Sequence, residues 1–92
     1  MESISLQKDL KLSFEKLPHT VRLIISKNND EWVCRKEKLK NLFSFLEKDK
    51  VHIFKGRLQL FKLDDRIDIQ VKNIVIATIS EESFEKALKN LE

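Results

Sequence analysis

The amino-acid sequence predicts a small α+β domain, in which an antiparallel β-sheet packs against two to three α-helices. Three observations carry this prediction: two segments with the apolar spacing of amphipathic helices, a series of short β-rich runs separated by turn-forming residues, and a shortage of loop residues, with one glycine and one proline in 92 residues. We expect a single domain over residues 1–92 with the element order α-β-β-α-β-β-β-β-α, that is, a four-stranded meander plus an N-terminal hairpin.

The composition is that of a soluble chain whose function depends on its surface. Apolar residues make up 41% and charged residues 36% of the chain, and the net charge of +3 permits an anionic partner. Because Cys34 is the single cysteine, no internal disulfide can form, which is typical of a reducing compartment. The N-terminus lacks the apolar core of a signal peptide, and no apolar run reaches the roughly 20 residues that cross a bilayer. These features predict a cytoplasmic protein that does not bind membranes.

The first predicted helix lies directly before Pro18, which would end it. Its apolar stripe consists of Leu6, Leu10, Phe14 and Leu17. Ile4 and Leu12 fall outside this stripe and alternate with its members, so a strand remains the alternative.

A hairpin is predicted next, since the β-rich runs TVRLIIS and EWVCR flank the turn-forming segment KNND. A four-residue loop gives three cross-strand pairs: Ile25 with Trp32, Leu23 with Cys34, and Arg22 with Arg35. Cys34 then alternates with Trp32 on an apolar face, which favours a core position over a nucleophile.

Two amphipathic helices follow from the i, i+3, i+4, i+7 spacing of apolar residues. The apolar residues of the first are Leu39, Leu42, Phe43 and Leu46, and those of the second are Phe84, Ala87, Leu88 and Leu91. Ser80 is the expected N-cap of the second helix, and Glu81 and Glu82 complement its dipole.

A four-stranded meander is predicted between these helices, over Val51–Phe54, Arg57–Leu63, Arg66–Val71 and Ile74–Ile79. Its two-residue turns would be Lys55-Gly56, Asp64-Asp65 and Lys72-Asn73. The resulting cross-strand pairs are Ile53–Leu58, Val51–Leu60, Leu58–Val71, Leu60–Ile69, Val71–Ile74 and Ile69–Ile76. The residues expected to be buried are Leu58, Leu60, Ile69, Val71, Ile74, Leu88 and Leu91. A single long hairpin, bent where Gly56 faces Asn73, is the alternative.

A faint internal repeat aligns residues 20–48 with residues 66–92 at an offset of 45 (27 to 72), and each segment has the order strand, turn, strand, helix. A duplicated ββα unit explains this similarity, and so does the shared apolar pattern that any two such units need.

The sequence predicts no enzyme, cofactor or metal. One glycine cannot build a phosphate-binding loop. His19, Cys34 and His52 are too scattered for a metal site. The carboxylates at Asp64, Asp65 and Asp68 are accounted for by turn formation, and the glycine of a calcium loop is missing.

The polar face of the meander is instead the predicted functional surface. Its outward residues are His52, Phe54, Arg57, Gln59, Phe61, Arg66, Asp68 and Gln70, with Lys72 across from Arg57. Like charges placed opposite each other suggest an anionic ligand. Cations interleaved with aromatic rings are typical of surfaces that bind single-stranded nucleic acid, and a four-stranded meander followed by a helix is the layout of some single-strand-binding domains. The predicted contact residues are Arg57, Phe61, Arg66 and Lys72, supported by Arg22, Arg35 and Lys36.

Apolar residues on the same face would contact water in a monomer, namely Phe54, Val75, Ala77 and Ile79. Either the N-terminal helix or a second copy of the chain is expected to cover them, and the second case predicts a homodimer. The alternative function is therefore a homodimeric protein–protein interaction module, an inhibitor or adaptor, that does not bind nucleic acid. No small-molecule substrate is expected.

Overall fold

The computed structural model describes residues 1–92 and consists of two antiparallel sheets and two helices. The strands are β1 (Glu2–Ser5), β2 (Leu10–Lys16), β3 (Val21–Lys27), β4 (Asp30–Glu37), β5 (Lys50–Ile53), β6 (Leu58–Leu63), β7 (Arg66–Val71) and β8 (Ile74–Ser80). The helices are α1 (Leu39–Leu46) and α2 (Glu81–Leu91). Strands β1-β2-β3-β4 form the N-terminal sheet and β5-β6-β7-β8 the C-terminal sheet. The α+β class is confirmed, but the element order is ββββα followed by ββββα.

The predicted N-terminal helix is wrong, because this segment forms the β1–β2 hairpin. Its connection includes Lys8, whose backbone has a positive φ of 52°. Leu12 and Phe14 point to one face of the sheet and are fully buried. The alternative prediction of a strand is correct. In a strand every second side chain points to the same face, so Leu12 and Phe14 both reach the core, whereas a helix would have left Leu12 outside the apolar stripe.

The β3–β4 and β7–β8 hairpins each contain a β-bulge, and neither was expected. Each turn has two residues with positive φ, Asn28 and Asn29 in the first hairpin and Lys72 and Asn73 in the second. Beyond the turn the register shifts by one residue, so that Trp32 and Ile76 have no cross-strand partner. A one-residue shift sends every later side chain of the strand to the opposite face.

The bulge in β4 overturns the predicted pairs of the first hairpin. The observed pairs are Ile25 with Val33, Ile24 with Cys34, Leu23 with Arg35 and Arg22 with Lys36. Cys34 is therefore exposed on the outer face of the N-terminal sheet instead of lying in the core.

The C-terminal sheet confirms the middle hairpin, in which Leu58 pairs with Val71 and Leu60 with Ile69. The turns at Asp64-Asp65 and Lys72-Asn73 are also confirmed, and Val71 pairs with Ile74 as expected. Beyond the bulge, however, Ile69 lies opposite Ala77 and not Ile76.

The predicted Lys55-Gly56 turn is wrong, because a four-residue connection, 54–57, joins β5 to β6. Ile53 consequently lies opposite Leu60 and Val51 opposite Lys62, two positions away from the predicted register. Phe54 enters the connection with a φ of 72° and is only 7% exposed. The positive φ is at a phenylalanine and not at the glycine, which the sequence gives no reason to expect.

One cluster of 19 buried residues contains side chains from both sheets and both helices. Phe84 of α2 contacts Phe14 of β2 and Phe45 of α1 in edge-to-face geometry, with ring centroids 5.3 and 5.9 Å apart. The expected N-cap is confirmed, since the Ser83 amide donates to Ser80 Oγ at 3.1 Å. Of the residues predicted to be buried, only Ile74 is exposed, at 66%. Neither helix has the length and apolar composition needed to cross a bilayer.

The two halves of the chain correspond element by element. The β3–β4 and β7–β8 hairpins, including their bulges, match at an offset of 44 (28 to 72), while the starts of α1 and α2 match at 42 (39 to 81). The cross-strand pair Phe14–Leu23 then corresponds to Lys62–Ile67. Lys62 thus takes the place of a core phenylalanine and is 3% exposed. Its Nζ donates to the carbonyls of Lys48 and Asp64 and lies 3.7 Å from Glu81 Oε1, so the buried cation is satisfied.

Candidate nucleic-acid interface

The outer face of the C-terminal sheet carries the polar residues that alternation predicts. Seven of the eight expected residues lie there unburied: His52, Arg57, Gln59, Phe61, Arg66, Asp68 and Gln70. The eighth, Phe54, belongs to the core cluster. We expected two phenylalanines to alternate with cations on this face. That prediction is wrong for Phe54, because its positive φ turns its side chain into the protein.

A second aromatic ring replaces the one lost at Phe54. His52 lies directly opposite Phe61 across the β5–β6 ladder. The two rings are stacked, with centroids 4.0 Å apart and an interplanar angle of 10°. The half-buried phenylalanine and the exposed histidine together form a flat aromatic surface on the outer face.

The side chain of Gln59 links the His52 ring to the backbone through two hydrogen bonds. Gln59 Nε2 donates to the Gly56 carbonyl at 3.0 Å, which orients Gln59 Oε1 toward His52 Nε2, also at 3.0 Å. A carbonyl oxygen can only accept, so His52 Nε2 carries the proton in this contact. This hydrogen bond restrains one nitrogen of the ring that stacks on Phe61.

An open groove of about 580 Å³ surrounds the stacked pair. We name it the outer groove; its lining residues are Lys50, Val51, His52, Phe61, Lys62, Leu63, Arg66, Asp68 and Gln70. Lys50 and Arg66 are exposed cations at its rim. Asp68 lies 3.6 Å from Arg66 Nε and accepts a hydrogen bond of 2.8 Å from Thr78, so it partly offsets the charge of Arg66.

A second group of cations lies where β6 begins and β7 ends. The Lys72 amide donates to the Arg57 carbonyl at 2.9 Å, which places these two residues side by side as predicted. Both side chains are exposed, and neither forms an ion pair. Arg35 of β4 lies beside the connection that precedes Arg57, since its guanidinium lies 5.1 Å from the Phe54 ring centre and approaches Gly56.

Two of the predicted supporting residues lie elsewhere. Arg22 and Lys36 pair across β3 and β4 on the outer face of the N-terminal sheet. Arg22 forms ion pairs with Glu31 and with Glu15, the latter at 3.3 Å. Hydrogen bonds to Glu31, Cys34 and Glu15 raise the pKa of the Arg22 guanidinium above its ordinary value. Its charge is therefore already matched by carboxylates.

The residues predicted for a dimer interface do not form one outward patch. Phe54 and Ala77 are each 7% exposed, and Ile79 packs against the core. The bulge at Ile76 explains the error for Ala77 and Ile79, which lie opposite Ile69 and Ile67 of the inner face. Only Val75, at 50% exposure, remains outward.

Sequence reasoning placed His52 outward but missed the stacked pair, and it missed Lys50 altogether. The predicted turn at Lys55-Gly56 put His52 opposite Gln59, whereas the longer connection moves it opposite Phe61. No sequence signal marks that two-residue change, because both registers keep the same residues on the same face.

The carboxylates of the β6–β7 turn behave as expected for turn residues: Asp64 has a positive φ of 56°. No group of three or more His, Cys, Asp or Glu side chains is arranged to hold a metal ion. Comparison of the chain with family models, with curated proteins and with solved structures finds no match.

Proposed function

We propose that this protein is a small non-catalytic binding module that takes single-stranded nucleic acid in the outer groove. The observation that carries the proposal is the stacked pair of His52 and Phe61, which presents an aromatic surface in an open groove between exposed cations. Aromatic faces stack with bases, and Lys and Arg side chains neutralise phosphates.

The arrangement favours single strands over duplexes. In a duplex the faces of the bases are covered by their neighbours, so a stacking ring has nothing to contact, whereas an unpaired base is free to lie on it. Lys50 and Arg66 flank the rings, and Arg57 and Lys72 lie at the end of the same sheet. These four cations are the proposed phosphate ligands.

The decisive measurement is fluorescence anisotropy with labelled single- and double-stranded oligonucleotides over a series of salt concentrations. With about 0.7 counterions released per neutralised phosphate, four contacts give a log–log slope near −3 for the single strand. Phe61→Ala is expected to weaken single-strand binding by about 1–3 kcal/mol, the usual contribution of one stacked base.

Two matched variants separate stacking from bulk hydrophobicity. Phe61→Trp keeps a flat ring and should retain affinity, whereas Phe61→Leu keeps apolar volume without a π-face and should bind as weakly as Phe61→Ala. Absence of binding to either oligonucleotide at low salt would overturn the proposal. Equal binding to single- and double-stranded oligonucleotides, unchanged by the substitutions at Phe61, would show that the protein attracts nucleic acid only through its basic surface.

The second candidate is a homodimeric protein–protein interaction module without nucleic-acid binding. Exposed Ile74 and Val75, neighbouring apolar residues beside the last turn, favour it. The same anisotropy series distinguishes the two candidates, and co-purification from the native host would then identify a protein partner.

A further inference from the structure

Strand β8 is an unusual edge of the C-terminal sheet. It pairs with β7 on one side and has no strand on the other. Its seven residues, IVIATIS, include no charged residue, no glycine and no proline. Ile74 is 66% and Val75 50% exposed. Long, uncharged edges pair readily with further strands, and proteins normally protect them.

The other three edge strands of the molecule are protected. β1 and β5 have only four residues each and contain Glu2 and Lys50, respectively. β4 contains five charged residues among its eight, in the sequence DEWVCRKE. Short length and charge are the usual means of blocking strand addition, and β8 alone lacks both.

No backbone segment pairs with the free side of β8. None of the 11 backbone hydrogen bonds outside the regular elements involves this strand. An open cleft of about 460 Å³ runs beside it, between residues 75–79 and residues 5–7. Across this cleft Gln7 Nε2 donates to the Ile76 carbonyl at 2.8 Å. A side-chain amide of the same chain thus occupies this carbonyl, and an added strand that used it would replace that hydrogen bond.

We propose that β8 pairs antiparallel with β8 of a second copy of this chain, so that two C-terminal sheets join into one of eight strands. A second copy fits because a two-fold axis places each strand against itself, and an uncharged strand then meets no like charge. This interface differs from an outer-face dimer, and it would place two outer grooves on one continuous sheet. It does not depend on nucleic-acid binding.

Sedimentation of the free protein between about 1 and 200 µM tests the interface. The wild-type chain should form dimers within this range, and Val75→Lys should raise the dimer Kd by at least about tenfold, because a lysine on an edge strand disfavours pairing with a further strand. Ser3→Lys, at an exposed position of the β1 edge, is the matched control and should leave the Kd unchanged. A wild-type chain that stays monomeric at 200 µM, or a dimer indifferent to Val75→Lys, overturns the proposal.

Hydrogen exchange at low and high protein concentration locates the interface without any substitution. Amides of β8 should gain protection as the concentration rises, while those of β1, β4 and β5 should not. Concentration-dependent protection at β4 or on the outer face instead of β8 would also overturn the proposal. Both measurements are made without nucleic acid, so their failure is distinguishable from a failure of the outer groove.

Discussion

The two halves of this molecule share one architecture but present different outer faces. At the position of Phe61 the N-terminal half has Ser13, and at the position of His52 it has Ser3, as their equivalent cross-strand pairing shows. Arg66 corresponds to Arg22, which is matched by two carboxylates. The N-terminal half therefore has two serines and an arginine that is already ion-paired, whereas the C-terminal half has a stacked aromatic pair among cations.

This difference teaches that backbone geometry does not by itself create the candidate site. Both sheets have the same strand order and the same bulge, so the distinction arises from a few outward side chains. Function resides in such side chains and not in the fold that carries them. The matched positions supply internal controls, because each substitution in one half has a counterpart in the other.

The largest effect is expected in the shared core. Ile25 and Ile69 occupy equivalent positions and are both fully buried. Truncation of either to Ala should cost about 2–5 kcal/mol of unfolding free energy, since each leaves a cavity in the same cluster. Urea unfolding followed by circular dichroism should show one transition for both variants. Two transitions would mean that the halves are separate folding units.

The next effect concerns Lys62, the counterpart of Phe14. Lys62→Met keeps the apolar stem but leaves the carbonyls of Lys48 and Asp64 without their donor. Unpaired buried acceptors typically cost about 1–3 kcal/mol, which urea unfolding can measure. Lys86→Met, on the exposed side of α2, is the control and should be neutral. A Lys62→Met chain as stable as the wild type would show that an apolar side chain serves equally well in both halves.

A smaller effect separates the two helices. Ser80 caps α2 with its side chain, whereas Lys38, at the start of α1, makes no side-chain cap. Ser80→Ala should therefore lower thermal stability by the equivalent of about 0.5–2 kcal/mol, and Lys38→Ala should change it little. Equal losses for both variants in a thermal melt would contradict this distinction.

The smallest effect is on ligand binding at a single cation. If nucleic acid occupies the outer groove, Arg66→Ala should flatten the salt slope for single strands by about 0.7, one phosphate contact. Arg22→Ala, at the equivalent position, should leave the slope unchanged because Glu15 and Glu31 already neutralise that guanidinium. A larger change for Arg22 than for Arg66 would move the interface to the N-terminal sheet.

Both helices, the middle hairpin and two of the three meander turns could be predicted from the sequence, because periodicity and turn chemistry are local. The N-terminal segment could not, since Leu10 and Phe14 fit a helical and a strand period equally well. The bulges at Trp32 and Ile76 could not either, because an unpaired residue depends on sheet packing and has no composition of its own. They account for the wrong faces assigned to Cys34, Ala77 and Ile79.

The candidate site was predictable to the extent that alternation alone defines it. Phe61, Arg66, Arg57 and Lys72 lie on the expected face or end of the sheet. Phe54 was assigned wrongly because its backbone takes a conformation that side chains rarely adopt. The ion pairs of Arg22 could not be predicted, since they involve Glu15 and Glu31 from two neighbouring strands, contacts that the predicted register did not contain.

The exposure of Cys34 has a practical consequence. It is the only thiol of the chain and lies on the outer face of the sheet that does not hold the outer groove. A maleimide dye will therefore attach to the natural sequence at one defined atom, with no engineered cysteine and no modification of the groove residues. The protein carries its own labelling site for following its encounters in solution by fluorescence.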